Sequence, residues 1–206
     1  MTAIAGGPVK NLSFCTRDLG LRFVKKTVNF DDPSTYHFYY GDETGSPGTI
    51  LTFFPWTNAQ AGRRGVGETR ETRQTAFRVP LRPIGYWIRR FTEKGIHYQS
   101  LEKHFGESVL PFTDPDGMAL ALVGIADAEN ETGWSNEDIP SEHAIRGFQG
   151  VTVLLDSAQK TAAILTDVFG FREVAREGSV IRFAAAGDVK GSVVDIHLVS
   201  SRAITE

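Results

Sequence analysis

The stretch RDLGLRFVKKTV (Arg17–Val28) ends one kind of structure and begins another, and two later stretches have the same design. They are TEKGIHYQSLEK (Thr92–Lys103) and DVFGFREVAREG (Asp167–Gly178). Each closes a helical pattern, places a glycine, and runs on into an extended segment. The glycines, Gly20, Gly95 and Gly170, fall at equal intervals along the chain. A glycine there reads as the residue just past a helix end, where a left-handed backbone is wanted.

Working outward, a helix precedes each glycine. Helices are predicted over Pro8–Leu19, Pro83–Lys94 and Asp156–Phe169. The middle one is the clearest, with Ile84, Trp87, Ile88 and Phe91 at i, i+3, i+4 and i+7 and Pro83 at its start. The first turns Leu12, Cys15 and Leu19 inward. The third has Asp156 as candidate N-cap and Ile164, Leu165 and Val168 on its inner face. A short strand precedes each helix (TAIAG, TAFRV, GVTVLL) and three extended segments follow it. Turn signals such as DDPS, GDETGSPG and DPDG separate these segments.

The fold class that follows is α+β, built from three β-α-β-β-β units in curved mixed sheets. The units are assigned to 1–57, 73–125 and 146–199, with linkers at 58–72 and 126–145 and a tail at 200–206. The second and third units are expected to pair with each other, with ALALVG and GVTVLL forming the buried centre.

Composition narrows the classes of function. The 206 residues are 41% apolar and 23% charged, with net charge −3. That describes a globular core without the basic footprint of a nucleic-acid binder. No window approaches the ~20 apolar residues of a membrane span. A lone cysteine, Cys15, gives no disulfide framework and suits a cytoplasmic protein.

The repeat, with DPDG leading into the last strand of a unit, resembles the vicinal oxygen chelate superfamily of glyoxalases, extradiol dioxygenases and bleomycin-resistance proteins. The stretches LGLRFVKKTVNFDDPSTYHFYYGDETGSPGTILTFFPW and EHAIRGFQGVTVLL are most similar to ring-cleaving dioxygenases of the hydroquinone and catechol type. The resemblance implies O₂ insertion into an aromatic diol. The family's Fe(II) or Mn(II), held by two His and one Glu, serves as template and Lewis acid. It also implies that those ligands lie just ahead of Thr2 and in a fourth unit. The chain is therefore expected to be a form cut short at both ends, binding no metal by itself. A metal-free binding protein of the bleomycin-resistance type and a glyoxalase-like lyase or isomerase are the alternatives.

Within this frame Val24–Trp56 reads as one wall of a substrate cup. Strand alternation sets Tyr36, Phe38 and Tyr40 on one face and His37 and Tyr39 on the other. His37 is the candidate catalytic residue, either an acid/base group or one that orients a phenol; a structural hydrogen bond is the competing role. Tyr39, Thr52, Phe54 and Trp56 are the candidate pocket residues. Asp31, Asp32, Asp42 and Glu43 belong to turns. Where ligands would sit in the third unit stand Gln149 and Asp195, a weak oxygen pair without an imidazole. Asp195 and His197 share a strand face and could hydrogen-bond. His97, His104 and His143 read as surface residues, and Cys15 as buried. Without a fourth unit, Leu51, Phe53, Phe54 and Trp56 are expected to be partly uncovered, and a homodimer through residues 24–56 would cover them.

Overall fold

A computed structural model describes residues 1–56, 71–82, 84–187 and 189–199. The predicted linker 58–72 falls mostly outside these residues, as do Pro83 and the tail 200–206. Strand β1 (Thr2–Ala5) leads into helix α1 (Pro8–Ser13), which continues as a π-helical turn over Phe14–Asp18. Strands β2 (Arg22–Val28), β3 (Tyr36–Gly41) and β4 (Leu51–Pro55) follow. The same order recurs in β5 (Glu71–Pro80), α2 (Ile84–Lys94), β6 (Glu102–His104), β7 (Glu107–Thr113) and β8 (Ala119–Ile125). It occurs again in β9 (Gly147–Leu155), α3 (Gln159–Ala163, continuing as a π-turn over Ile164–Val168), β10 (Arg172–Glu177), β11 (Val180–Ala184) and β12 (Val193–Leu198).

The three spacing glycines have the backbone their position demands. Gly20, Gly95 and Gly170 sit at φ +70°, +66° and +69°. At the first and third, the bonds Leu21 N–H to Cys15 O and Phe171 N–H to Leu165 O, both 2.9 Å, turn the chain into the next strand.

Four strands form one sheet in the order β1-β4-β3-β2, and eight form another, β10-β11-β12-β9-β5-β8-β7-β6. Each first strand lies parallel to the last strand of its own segment, as β1 with β4, β5 with β8 and β9 with β12. The second and third segments do meet in one sheet, but the seam is β5 against β9, antiparallel, with Thr75 opposite Val151. The strand carrying ALALVG, β8, is one place removed. Both of its edges are already bonded, to β5 and β7, whereas each first strand is bonded within its own segment on one edge alone and has the other to offer.

One core joins the four-stranded sheet to the β5–β8 part of the other. Phe14, Cys15 and Leu19, Phe38, Tyr40, Leu51 and Phe53 cluster with Phe77, Trp87, Phe91, Leu110, Phe112 and Leu122. Leu51 and Phe53 are thus fully buried, contrary to the expectation that they lie partly uncovered. They share the inward face of β4, and the second segment covers it. Arg90 of α2 reaches over to donate to the carbonyls of Arg17 and Asp18. These are part-buried acceptors at a helix end, where a cation is favoured. The DPDG turn adds a second tie, since Asp116 Oδ2 accepts the Gly6 N–H at 2.8 Å.

The third helix departs from its reading in two ways. It starts at Gln159, and Ala158, not Asp156, stands at the N-cap position without a side-chain bond. Of its predicted inner face only Leu165 is buried; Ile164 is 51% and Val168 71% exposed. The corresponding first-segment residue, Phe14, is 3% exposed. The difference lies in what packs outside. The second segment covers α1, and no described residue does the same for α3.

Candidate functional site

The outer face of the four-stranded sheet is built by alternation. β3 brings His37 and Tyr39 to it, and β4 brings Thr52 and Phe54, with Tyr39 directly opposite Thr52. The His37 ring stacks on Phe54 with centroids 4.0 Å apart and planes at 28°. Its Nδ1 lies 2.9 Å from the Tyr39 hydroxyl, so the partner that sequence reasoning did not find is two residues along the same strand. Thr52 donates to the Thr2 hydroxyl at 2.9 Å. Trp56 follows the strand end and is 38% exposed.

His37 Nε2 is enclosed and has no hydrogen-bond partner. Burial lowers the imidazole's pKa, which favours the neutral ring at pH 7. The neutral ring either accepts from Tyr39 at Nδ1 and carries its hydrogen on Nε2, or donates from Nδ1 and leaves Nε2 an acceptor; in both tautomers Nε2 is the ring atom left for a phenol, once the groups enclosing it give way. An aromatic face, one neutral imidazole and two hydroxyls suit a flat hydroxylated ring.

The same face does not fit a metal. Among the described residues no three His, Cys, Asp or Glu are placed to hold an ion. The nearby acids are committed to turns: Asp32 accepts from Ser34 and Thr35, and Asp42 from Ser46 and Thr44. Three ligands with open positions are what a facial-triad centre needs, and one imidazole falls short.

Gln149 and Asp195 lie elsewhere, in the concavity of the eight-stranded sheet. Asp195 takes a bidentate ion pair from Arg182, both distances 2.8 Å. Its oxygens are thereby engaged, and its bond partner is Arg182 rather than His197. Gln149 Nε2 reaches Glu107 Oε1 at 3.3 Å, and Glu107 Oε2 meets Arg182 Nη1 at 2.6 Å. Arg182 and Glu107 escaped the sequence reading. The available signal was a single arginine inside the apolar strand VIRFA. His104, read as surface, is half-exposed and pairs with Glu102 at 2.9 Å. His143 stacks on Tyr86 at 4.0 Å. Cys15 is fully buried. Burial, followed by Asp114 and Asp18, pushes its thiol well up, so it is no nucleophile.

No family model matches the chain. Its fold is that of the vicinal oxygen chelate superfamily. A crystal structure of glyoxalase I from Zea mays superposes over 97% of this chain and 66% of its own, with TM-score 0.68 at 11% identity. The nearer resemblance is to ring-cleaving dioxygenases. The chain is 41% identical over 198 residues to MhqO of Bacillus subtilis (strain 168), assigned as a ring-cleaving dioxygenase, covering 96% of this chain and 62% of that one. It is 26% identical over 201 residues to the chlorohydroquinone/hydroquinone 1,2-dioxygenase of Sphingobium indicum, covering 96% and 62%. A crystal structure from Bacillus subtilis, of a protein assigned as a dioxygenase, matches with TM-score 0.87 at 40% identity over 98% of this chain and 63% of its own. The chain thus spans a little under two thirds of the length of the curated relatives it matches.

Proposed function

We propose that this chain forms the substrate-binding body of an extradiol-type, ring-cleaving dioxygenase-like protein acting on aromatic diols. The observation that carries the reading is the stacked His37–Phe54 pair with an unpartnered imidazole nitrogen. It lies in a chain 41% identical over nearly its whole length to a protein assigned as a ring-cleaving dioxygenase. In this reading Phe54 and Trp56 receive the diol ring, His37 Nε2 holds one hydroxyl, and Tyr39 fixes the imidazole. Thr52 closes the floor. The reaction's Fe(II) or Mn(II) has no fitting ligand set on this face, so residues other than those described would hold it.

Binding and turnover are tested separately. Desalted chain is expected to retain less than one iron or manganese per molecule and to consume no O₂ with catechol or hydroquinone. Anaerobically it still binds hydroquinone, and Phe54→Ala weakens that binding by roughly 2- to 10-fold, the worth of one aromatic contact. One metal per chain surviving desalting would overturn the assignment of ligands. Unchanged affinity in Phe54→Ala would overturn the face. The donor set favours one second reading, a metal-free binding protein for small aromatics.

The same face favours a second copy of the chain as partner, in the cytoplasm. Among the described residues no helix is long and apolar enough to cross a membrane. Ile4 (47% exposed) and Trp56 remain open at the sheet's outer side, with Tyr36 at its end. An isologous contact through residues 24–56 would close over them. Light scattering is expected to give a dimer mass at micromolar concentration and a monomer mass for Trp56→Glu. A monomeric parent would refute the contact.

A further inference from the structure

The concavity of the eight-stranded sheet holds a cavity of about 240 Å³, well apart from the His37 face. Its floor is apolar, made by Ala76, Val109 and Val123. Asp195, Arg182 and Gln149 stand in its wall, and Glu107 links Arg182 to Gln149. The turn between β6 and β7 reaches over its rim. Phe105 takes a left-handed φ of +51°, the one non-glycine residue to do so among the described residues. From there its ring covers the Arg182 guanidinium at 4.2 Å, and its N–H donates to Glu177 Oε2 at 2.8 Å. A bulky side chain keeps such a backbone only where its surroundings hold it there. Here they are residues of the third segment, so the turn ties the two halves of the cavity together.

Gln149 is the group this wall leaves unfinished. It is 9% exposed, and its Oε1 has no hydrogen-bond partner. Its one bond, from Nε2 to Glu107, is 3.3 Å long. That is beyond the usual N–H···O optimum, so little resists a turn of the carboxamide. A buried amide oxygen left without a donor is costly, and a ligand that supplies one removes that cost. The charges select among ligands. The guanidinium of Arg182 is shared between two carboxylates, and Glu102 and Glu177 add negative charge at the rim. Arg73, His104 and His197 are the basic groups facing the space, and burial, followed by Arg73 and His104, holds the His197 pKa down. The carboxylates of Asp195, Glu107, Glu102 and Glu177 stand around the space against Arg182 and Arg73, so an anion would meet more negative charge than positive. A neutral molecule with an O–H would meet a waiting acceptor above an apolar floor.

We propose that this cavity is a second ligand site, for an uncharged single-ring compound bearing a hydroxyl donor, received by the Gln149 carboxamide. It is independent of the His37 face and needs no metal. Phenol and resorcinol are suitable probes, with benzoate as the anionic control. In the parent chain, phenol is expected to shift the Gln149 side-chain amide resonance, and benzoate is not. By calorimetry, Gln149→Leu is expected to weaken phenol binding at this site about 10-fold, the loss of one buried hydrogen bond. Phe54→Ala leaves this site untouched. The proposal fails if the Gln149 resonance does not move at millimolar phenol, or if benzoate moves it equally. It also fails if Gln149→Leu binds as the parent does. Should Gln149→Leu fold poorly, the resonance shift in the parent decides alone.

Discussion

Trp87→Ala is expected to lower the stability of the fold by about 3–5 kcal/mol, the range for removing a large aromatic from a close-packed core. Trp87 is fully buried near the start of α2. Its ring lies 5.7 Å from those of Tyr86 and Phe91, and the Phe91 ring in turn lies 4.7 Å from Phe112 on β7. The indole N–H also donates to the His143 carbonyl at 3.1 Å. The substitution therefore empties a core site and releases the segment that joins β8 to β9. In a chain of this length, that loss corresponds to a fall in melting temperature of roughly 6–20 °C. Denaturant unfolding followed by circular dichroism checks it, and a loss under about 1 kcal/mol would show that the core between the two sheets is not close-packed as described.

The second large effect is expected at Arg182. Its side chain is 12% exposed and joins Asp195, 14% exposed, to Glu107, 23% exposed. Burial works against the guanidinium's charge, but the hydrogen bonds and fields of Asp195 and Glu107 outweigh it and raise its pKa. Arg182→Leu leaves two largely desolvated carboxylates facing each other without a cation. Breaking such a pair from one side costs about 3–5 kcal/mol, whereas replacing both members by apolar groups is often near neutral. The double change Arg182→Leu with Asp195→Leu is therefore expected to recover part of the loss, with Glu107 still unpaired. If Arg182→Leu unfolds at the parent's denaturant midpoint, the network contributes nothing to the fold.

What the sequence made legible was local. The register of Gly20, Gly95 and Gly170 carried the element order, because a left-handed helix end is a demand of single residues. Alternation along TYHFYYG put His37 and Tyr39 on one face for the same reason. The extent of regular α-helix was not legible. In α1 and α3 the last five helical residues shift to π geometry, which leaves the apolar spacing almost unchanged. Which apolar faces end up covered was not legible either. Phe14 and Ile164 occupy matching places, yet one is buried and the other half-exposed, since coverage depends on what packs from far along the chain. The Arg182 network was hidden for a similar reason. Its members come from β7, β9, β11 and β12, and no spacing within a strand announces them.

The strand orders also decide where this protein could polymerise. A sheet grows by adding a strand to an unpaired edge, and charged side chains discourage that addition. The eight-stranded sheet ends on β6, whose residues are Glu102, Lys103 and His104, and on β10, which carries Arg172, Glu173, Arg176 and Glu177. The four-stranded sheet ends on β2, with Arg22, Lys25 and Lys26, and on β1, which reads Thr-Ala-Ile-Ala. Three of the four edges repel a further strand. Among the described residues β1 is the uncharged one, and strand addition between molecules is therefore directed to a four-residue template, too short to seed an extended fibril with ease.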